Sequence, residues 1–147
     1  MTLLRIEHAL SDEAADLLIG AARREAERLA VPVSVAIVDA GGTLLRFARQ
    51  AGAILVSVAT ASDKAYAALS FGVATHEWAG IIGDDAMLVH GIPPLPRHTT
   101  LGGGLPIWLN DRLVGGIGVS GGHYRQDRAI AEAGLRSLAG DHSQSCN

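Results

Sequence analysis

Apolar residues at Ala14, Leu17, Leu18, Ala21, Ala22 and Leu29 recur with a helical period, while Arg23, Arg24, Glu25 and Arg28 fall mostly on the other side. Ser11 stands where an N-cap hydroxyl is needed, and Asp12 and Glu13 put negative charge in the first turn. The pattern predicts an amphipathic helix that Pro32 terminates. The period then changes. Val33 to Val38 is a nearly unbroken apolar run rich in β-branched residues, which predicts a strand covered on both faces. Asp39-Ala40-Gly41-Gly42 reads as a turn and Thr43 to Arg49 as the returning strand of a first hairpin.

From Ile54 to Phe71 the chain is alanine-rich and free of Gly and Pro, which predicts a helix over the whole stretch, packed closely on a sheet. Gly72 is its expected stop, and Thr75 is the expected cap of a short helix through Ile82. Gly83 to Thr100 carries Gly91, Pro93, Pro94 and Pro96 with no sustained period, so it reads as a long irregular loop, functional or mobile. The stretch that organises the rest is Gly102 to Gly122. Leu105 to Leu109 and Leu113 to Val119 form a hairpin about Asn110-Asp111, two residues that tolerate positive φ. Tyr124 to Leu138 is a last helix, with Ala129, Ile130, Ala133 and Leu138 for packing, and His142 to Asn147 a frayed tail. The order α-β-β-α-loop-β-β-α with short turns between strands predicts an antiparallel sheet and an α+β fold.

Length and composition narrow this picture without changing it. The 147 residues suit a single domain spanning 1–147, and no apolar run approaches the roughly 20 residues of a membrane span. The first residues lack a basic start and a long apolar stretch, so a cytoplasmic location is expected. Cys146 is the only cysteine, which leaves no disulfide framework or cysteine metal cage within one chain. A net charge of -3 without a basic cluster, and few aromatics, argue against nucleic acid as the partner.

Candidate chemistry is sparse. Gly116 to Gly121 matches G-x-G-x-x-G, but the chain ends too soon after Leu138 for the second parallel strand of a dinucleotide unit. His76-Glu77 begins H-E-x-x-H, yet Gly80 stands where the second histidine belongs, and no metal site is expected. His8, His90, His123 and His142 have no ligand spacing and read as surface or loop residues. His98 differs in context: Arg97, Thr99, Thr100 and the triplet Gly102, Gly103, Gly104 gather an imidazole, a cation, two hydroxyls and backbone donors on one segment. The triplet implies that backbone approaches something closely, either a ligand or another strand. Lys64 is the only lysine among the 12 Lys and Arg residues, which suggests a compact ammonium fixed in a pocket. A snorkelling side chain is its structural alternative.

VAIVDAGGTLLRFAR, ASDKAYAALSFG with Thr75, GGGLPI, VGGIGVSGG and Gln126-Asp127, taken in order, resemble the GlcG/HbpS-like family, which includes the C-terminal domain of PduO-type proteins. The resemblance covers nearly the whole chain. It implies a profilin-like fold, an antiparallel sheet of about five strands with packed helices, and assembly as a homodimer or larger ring. Some members bind haem, and one resembling group is a lyase that converts 4-hydroxylaminobenzoate to a catechol and ammonia. Arg49 falls in the family's second-strand motif and is taken as a ligand contact. The Met-Asp that commonly follows that arginine is replaced by Gln50-Ala51, so an acidic group is missing and the ligand polarity is expected to differ.

Two functional readings follow. The first is a cofactor-independent enzyme, a lyase, hydratase or isomerase acting on a small polar or aromatic metabolite. In it His98 moves the proton, Lys64 holds substrate charge, and Arg49, Arg97, Thr99, Thr100 and Gly102 to Gly104 bind. The alternative is a haem or tetrapyrrole carrier or sensor. The acid-base and anion-holding groups near His98 give the enzyme precedence.

Overall fold

A computed structural model describes residues 1–140. Five α-helices and four strands follow in the order α1 Asp12–Arg28, β1 Ser34–Asp39, β2 Leu44–Arg49, α2 Ser57–Phe71, α3 Trp78–Ile82, α4 Ala86–Gly91, β3 Gly104–Leu109, β4 Arg112–Ser120 and α5 Tyr124–Ala139, with one 3-10 turn at Thr75–Glu77. The strands form one antiparallel sheet in the order β2-β1-β4-β3, four strands where about five were expected. The expected tail at His142 to Asn147 lies outside the described residues.

The two faces of the sheet differ in side-chain size. Val35, Ile37, Leu105, Ile107, Ile117 and Val119 point into the larger core, shared with Ala15, Leu18, Ala22 and Ala26 of α1 and Ile130, Ala131 and Leu138 of α5. On the other face the cross-strand rows are small: Ala36, Gly118 and Gly104 share one, Val38, Gly116 and Pro106 the next. Against these rows lies α2, presenting Ala61, Ala65 and Leu69 to Ala36 and Val38. A Cβ on Gly118 would overlap the Ala61 carbonyl oxygen, one on Gly116 that of Ala65, and one on Gly104 that of Lys64. Helix backbone therefore rests on strand backbone, a spacing only these glycines permit.

Ser11 caps α1 by accepting from the Ala14 amide at 3.1 Å, as its position implies. The buried stripe is Ala15, Leu18, Ala22 and Ala26, however, and Leu17 is exposed. Asn110 and Asp111 take φ of 49° and 59°, the geometry of a two-residue hairpin, and Gly72 closes α2 in the left-handed region. Helix α2 starts three residues later than expected, at Ser57. Thr75 caps nothing: its hydroxyl donates to the Leu101 carbonyl at 2.7 Å and accepts from the Gly104 amide at 3.0 Å, tying the turn after α2 to the start of β3. The expected irregular loop contains α4, which Asp85 caps through the Met87 and Leu88 amides. No residue of α4 is buried, so no hydrophobic period marks it in the sequence. Among the described residues no helix is long and apolar enough to cross a membrane.

Replacing Gly118 by Ala is expected to lower stability by about 3 kcal/mol, the upper range for overpacking, because the new methyl meets helix backbone rather than a movable side chain. Gly80→Ala, with no atom within 4 Å of the new methyl, is expected to be neutral or slightly stabilising. Urea denaturation of the two variants checks the contrast.

Candidate functional site

At the end of the sheet where β4 passes into α5, a cleft of about 600 Å³ opens between α2, the segment after Arg97 and the first turn of α5. Val56, Leu101 and Tyr124 supply apolar wall, and Thr60, Thr99, Ser120, His98 and the pair Lys64 and Asp127 supply polar wall. The volume falls in the range of small-molecule and cofactor sites.

Lys64 follows from the packing of α2. Its Cα lies on the face that touches the sheet, so its side chain has to run along the sheet toward the end of β4. There Nζ donates to the Asp127 carboxylate at 2.8 Å and to the Val119 carbonyl at 2.9 Å. The side chains are 3% and 2% exposed. Gly103, at φ 123°, clears the path: a Cβ there would lie 3.0 Å from Nζ and closer still to Val119 and Asp127. Asp127 sits in the first turn of α5, where the helix dipole favours an anion, and it also accepts from the Gly122 amide at 2.9 Å. Burial pushes the Lys64 ammonium below the ordinary lysine range and lifts the Asp127 carboxyl above the ordinary carboxylate range, and each partner's charge pulls the other part of the way back.

His98 follows Arg97, a non-glycine residue at φ 56°. Its ring stands edge-on to Phe71 and Trp78, with centroids 5.5 and 5.1 Å away. Both ring nitrogens are shielded from solvent and neither has a hydrogen-bond partner. Burial lowers its pKa, so the imidazole is neutral at physiological pH. Arg97 turns away from His98: Nε donates to Asp63 at 3.1 Å and the guanidinium lies 4.0 Å over the Tyr66 ring. Thr99 borders the cleft and accepts from the Leu101 amide at 3.2 Å. Thr100 is half-buried beside it without entering the wall. Arg49 lies off the cleft, donating to the Ala53 carbonyl at 2.6 Å.

The glycine triplet owes its composition to close neighbours. Gly102 faces the Tyr124 carbonyl and His76, Gly103 faces Lys64 and Asp127, and the Gly104 amide is bonded to Thr75. Of the alternatives the sequence left open, approach of other backbone accounts for Gly103 and Gly104 directly. Asp127, Thr60 and Ser120 were not singled out as site residues. Thr60 donates to Ser120 at 2.6 Å in the cleft wall. The available signal for Asp127 was a lone acid in the first turn of the last helix and a lone lysine elsewhere, 63 positions apart. His123 reads as a surface residue and is one, but it also caps α5 with Nδ1, which accepts from the Arg125 amide at 3.2 Å.

Removing one member of the buried pair strands the other in a dry site. Lys64→Met and Asp127→Leu are each expected to cost about 3–5 kcal/mol, and the combined Lys64→Met/Asp127→Leu variant distinctly less than their sum. A double-mutant cycle by chemical denaturation measures this coupling.

The family described as haem degrading protein HbpS-like matches residues 10–136. The corrinoid adenosyltransferase PduO of Citrobacter freundii is 38% identical over 132 residues, which cover 88% of this chain and 39% of that protein. The chain thus spans about two fifths of that relative. The crystal structure of a PduOC haem complex superposes with a TM-score of 0.83 at 38% identity, covering 88% of this chain and 95% of the other. A double mutant of Streptomyces reticuli HbpS gives 0.83 at 34% identity, covering 92% and 90%. With nearly nine tenths of its length inside that pattern and the same antiparallel α+β fold, the chain belongs to the HbpS-like family.

Proposed function

We propose that the cleft between α2, the His98 segment and α5 binds haem or a related tetrapyrrole. The observation that carries this reading is the His98 imidazole, which stands in the wall of the cleft, is kept neutral by burial, and has no partner on either nitrogen. A buried polar group without a partner costs about 1–3 kcal/mol, a penalty that coordination to a metal removes. Neutral imidazole is also the form that ligates iron. His98 lies in a segment without regular structure, so its side chain can turn toward the cavity. His123 suits the role less well, because its Nδ1 accepts a backbone hydrogen bond and its Nε2 therefore carries the proton.

The remaining wall fits the same ligand. Val56, Leu101 and Tyr124 suit the face of a macrocycle, and the hydroxyls of Thr60, Thr99 and Ser120 suit its carboxylate edge. Among the described residues no three His, Cys, Asp or Glu side chains converge on one point, so a metal held here would bring its other ligands with it, as a porphyrin does. When bound, the group would supply redox and ligand-exchange chemistry, and the chain would supply the His98 imidazole and a partly dry surround. Support also comes from the similarity to a PduOC haem complex and to HbpS. The lyase reading has no such support. The ammonium counted on to hold substrate charge is already bonded to Asp127 and Val119, and the Gly104 amide counted on as a donor is bonded to Thr75.

Haemin titration is expected to give a saturable one-to-one change in the visible spectrum. His98→Ala should weaken it at least tenfold with unchanged far-ultraviolet circular dichroism. A wild type with no spectral change, or a variant that titrates identically, removes the assignment. The burial of His98 also sets a pH profile. An imidazole with a lowered pKa stays neutral below its ordinary value of about 6.5, so affinity should be level from pH 8 to about 6.5 and fall only in more acidic solution. Titrations at several pH values read the inflection.

A further inference from the structure

We propose that Lys64 is a carbonyl-reactive amine that condenses with small apolar aldehydes entering the cleft, forming an imine on Nζ. This activity needs no iron and is independent of the haem reading.

Three observations carry it. First, Lys64 and Asp127 are among the residues that line the cleft, at the end of a side chain otherwise enclosed by α2, β4 and Gly103. Second, the amine has a proton acceptor in place: Asp127 Oδ2 lies 2.8 Å from Nζ, and the carboxylate is itself held by the Gly122 amide at 2.9 Å. A carboxylate this close is placed to take the ammonium proton and to return it in the dehydration step. Third, the apolar part of the lining is Val56, Leu101 and Tyr124, each exposed to the solvent from which an entrant comes, which suits an apolar, uncharged molecule. Burial lowers the Lys64 pKa, which increases the fraction of free amine available to attack.

The reaction balances within these groups. Asp127 takes one proton from the Lys64 ammonium, and the free amine adds to the aldehyde carbon. The carbonyl oxygen gains the second Nζ proton to give a carbinolamine. Asp127 then returns its proton to the hydroxyl, which leaves as water while the nitrogen lone pair closes the C=N bond. The product is a protonated imine facing the Asp127 carboxylate. One aldehyde is consumed and one water is released, with no oxidant or reductant.

The composition makes the test clean, because Lys64 is the only lysine of the 147 residues, and protein prepared as these residues competes only through the α-amino group of Met1. Wild-type protein is incubated with benzaldehyde and sodium cyanoborohydride at pH 7.4, and the reduced adduct is located by peptide mass mapping. An ordinary lysine at this pH is about one part in a thousand free amine, whereas an ordinary α-amine is roughly a quarter free, so an unperturbed chain labels at Met1. The expected result is labelling of Lys64 at a rate equal to or above that of Met1, lost by at least a hundredfold in guanidinium. Asp127→Glu is expected to retain Lys64 labelling. Label confined to Met1 in the native protein, or Lys64 labelling that is equal in native and unfolded chains, overturns the proposal.

Discussion

Helix α2 rests on the sheet through only a thin layer of small side chains, with backbone against backbone at three glycines, and the placement of the cleft depends on that approach. Gly104, Gly116 and Gly118 make the close contact possible, and the alanines of α2 keep the facing side small. The opposite face follows the ordinary rule, with large aliphatic side chains interleaved between sheet, α1 and α5. Two spacings within one sheet leave α2 low over the strands. A residue on its underside can then reach past the sheet's end to the helix on the other face.

Lys64 is that residue. Its bond to Asp127 ties α2 to the first turn of α5, and its bond to Val119 ties both to the C-terminal end of β4. Three elements converging on one ammonium define the floor of the cleft. The pair is held under dehydration, and each partner's charge offsets part of the burial that drives the other toward neutrality. His98 occupies the other wall under different conditions. Its half-buried ring stands edge-on to Phe71 and Trp78, and its two shielded nitrogens have no partner. One side of the cleft is therefore a satisfied polar network and the other an unsatisfied imidazole.

Membership of the HbpS-like family constrains the fold more than the chemistry. A relative such as PduO carries much additional chain, and its activity belongs to a protein of which this chain matches 39%. The departure at Gln50-Ala51 shows why residue-level reading matters. Gln50 serves the fold: its side-chain oxygen accepts from the Val33 amide at 3.1 Å, and it lies away from the cleft.

The sequence by itself determined the order of the elements apart from α4, the hairpin about Asn110-Asp111, the double-sided burial of β1 and the family, because turn chemistry and hydrophobic period act over a few residues. It also marked Lys64 and the glycine triplet as unusual. Only the tertiary structure decided what they do. Lys64 and Asp127 stand 63 residues apart, and no local period reports a contact between two helices on opposite faces of a sheet. The partner of Thr75, the turning away of Arg97 and the position of Arg49 off the cleft are likewise long-range outcomes. A glycine's need for space is written in the chain. What fills that space is set by the packing of distant elements.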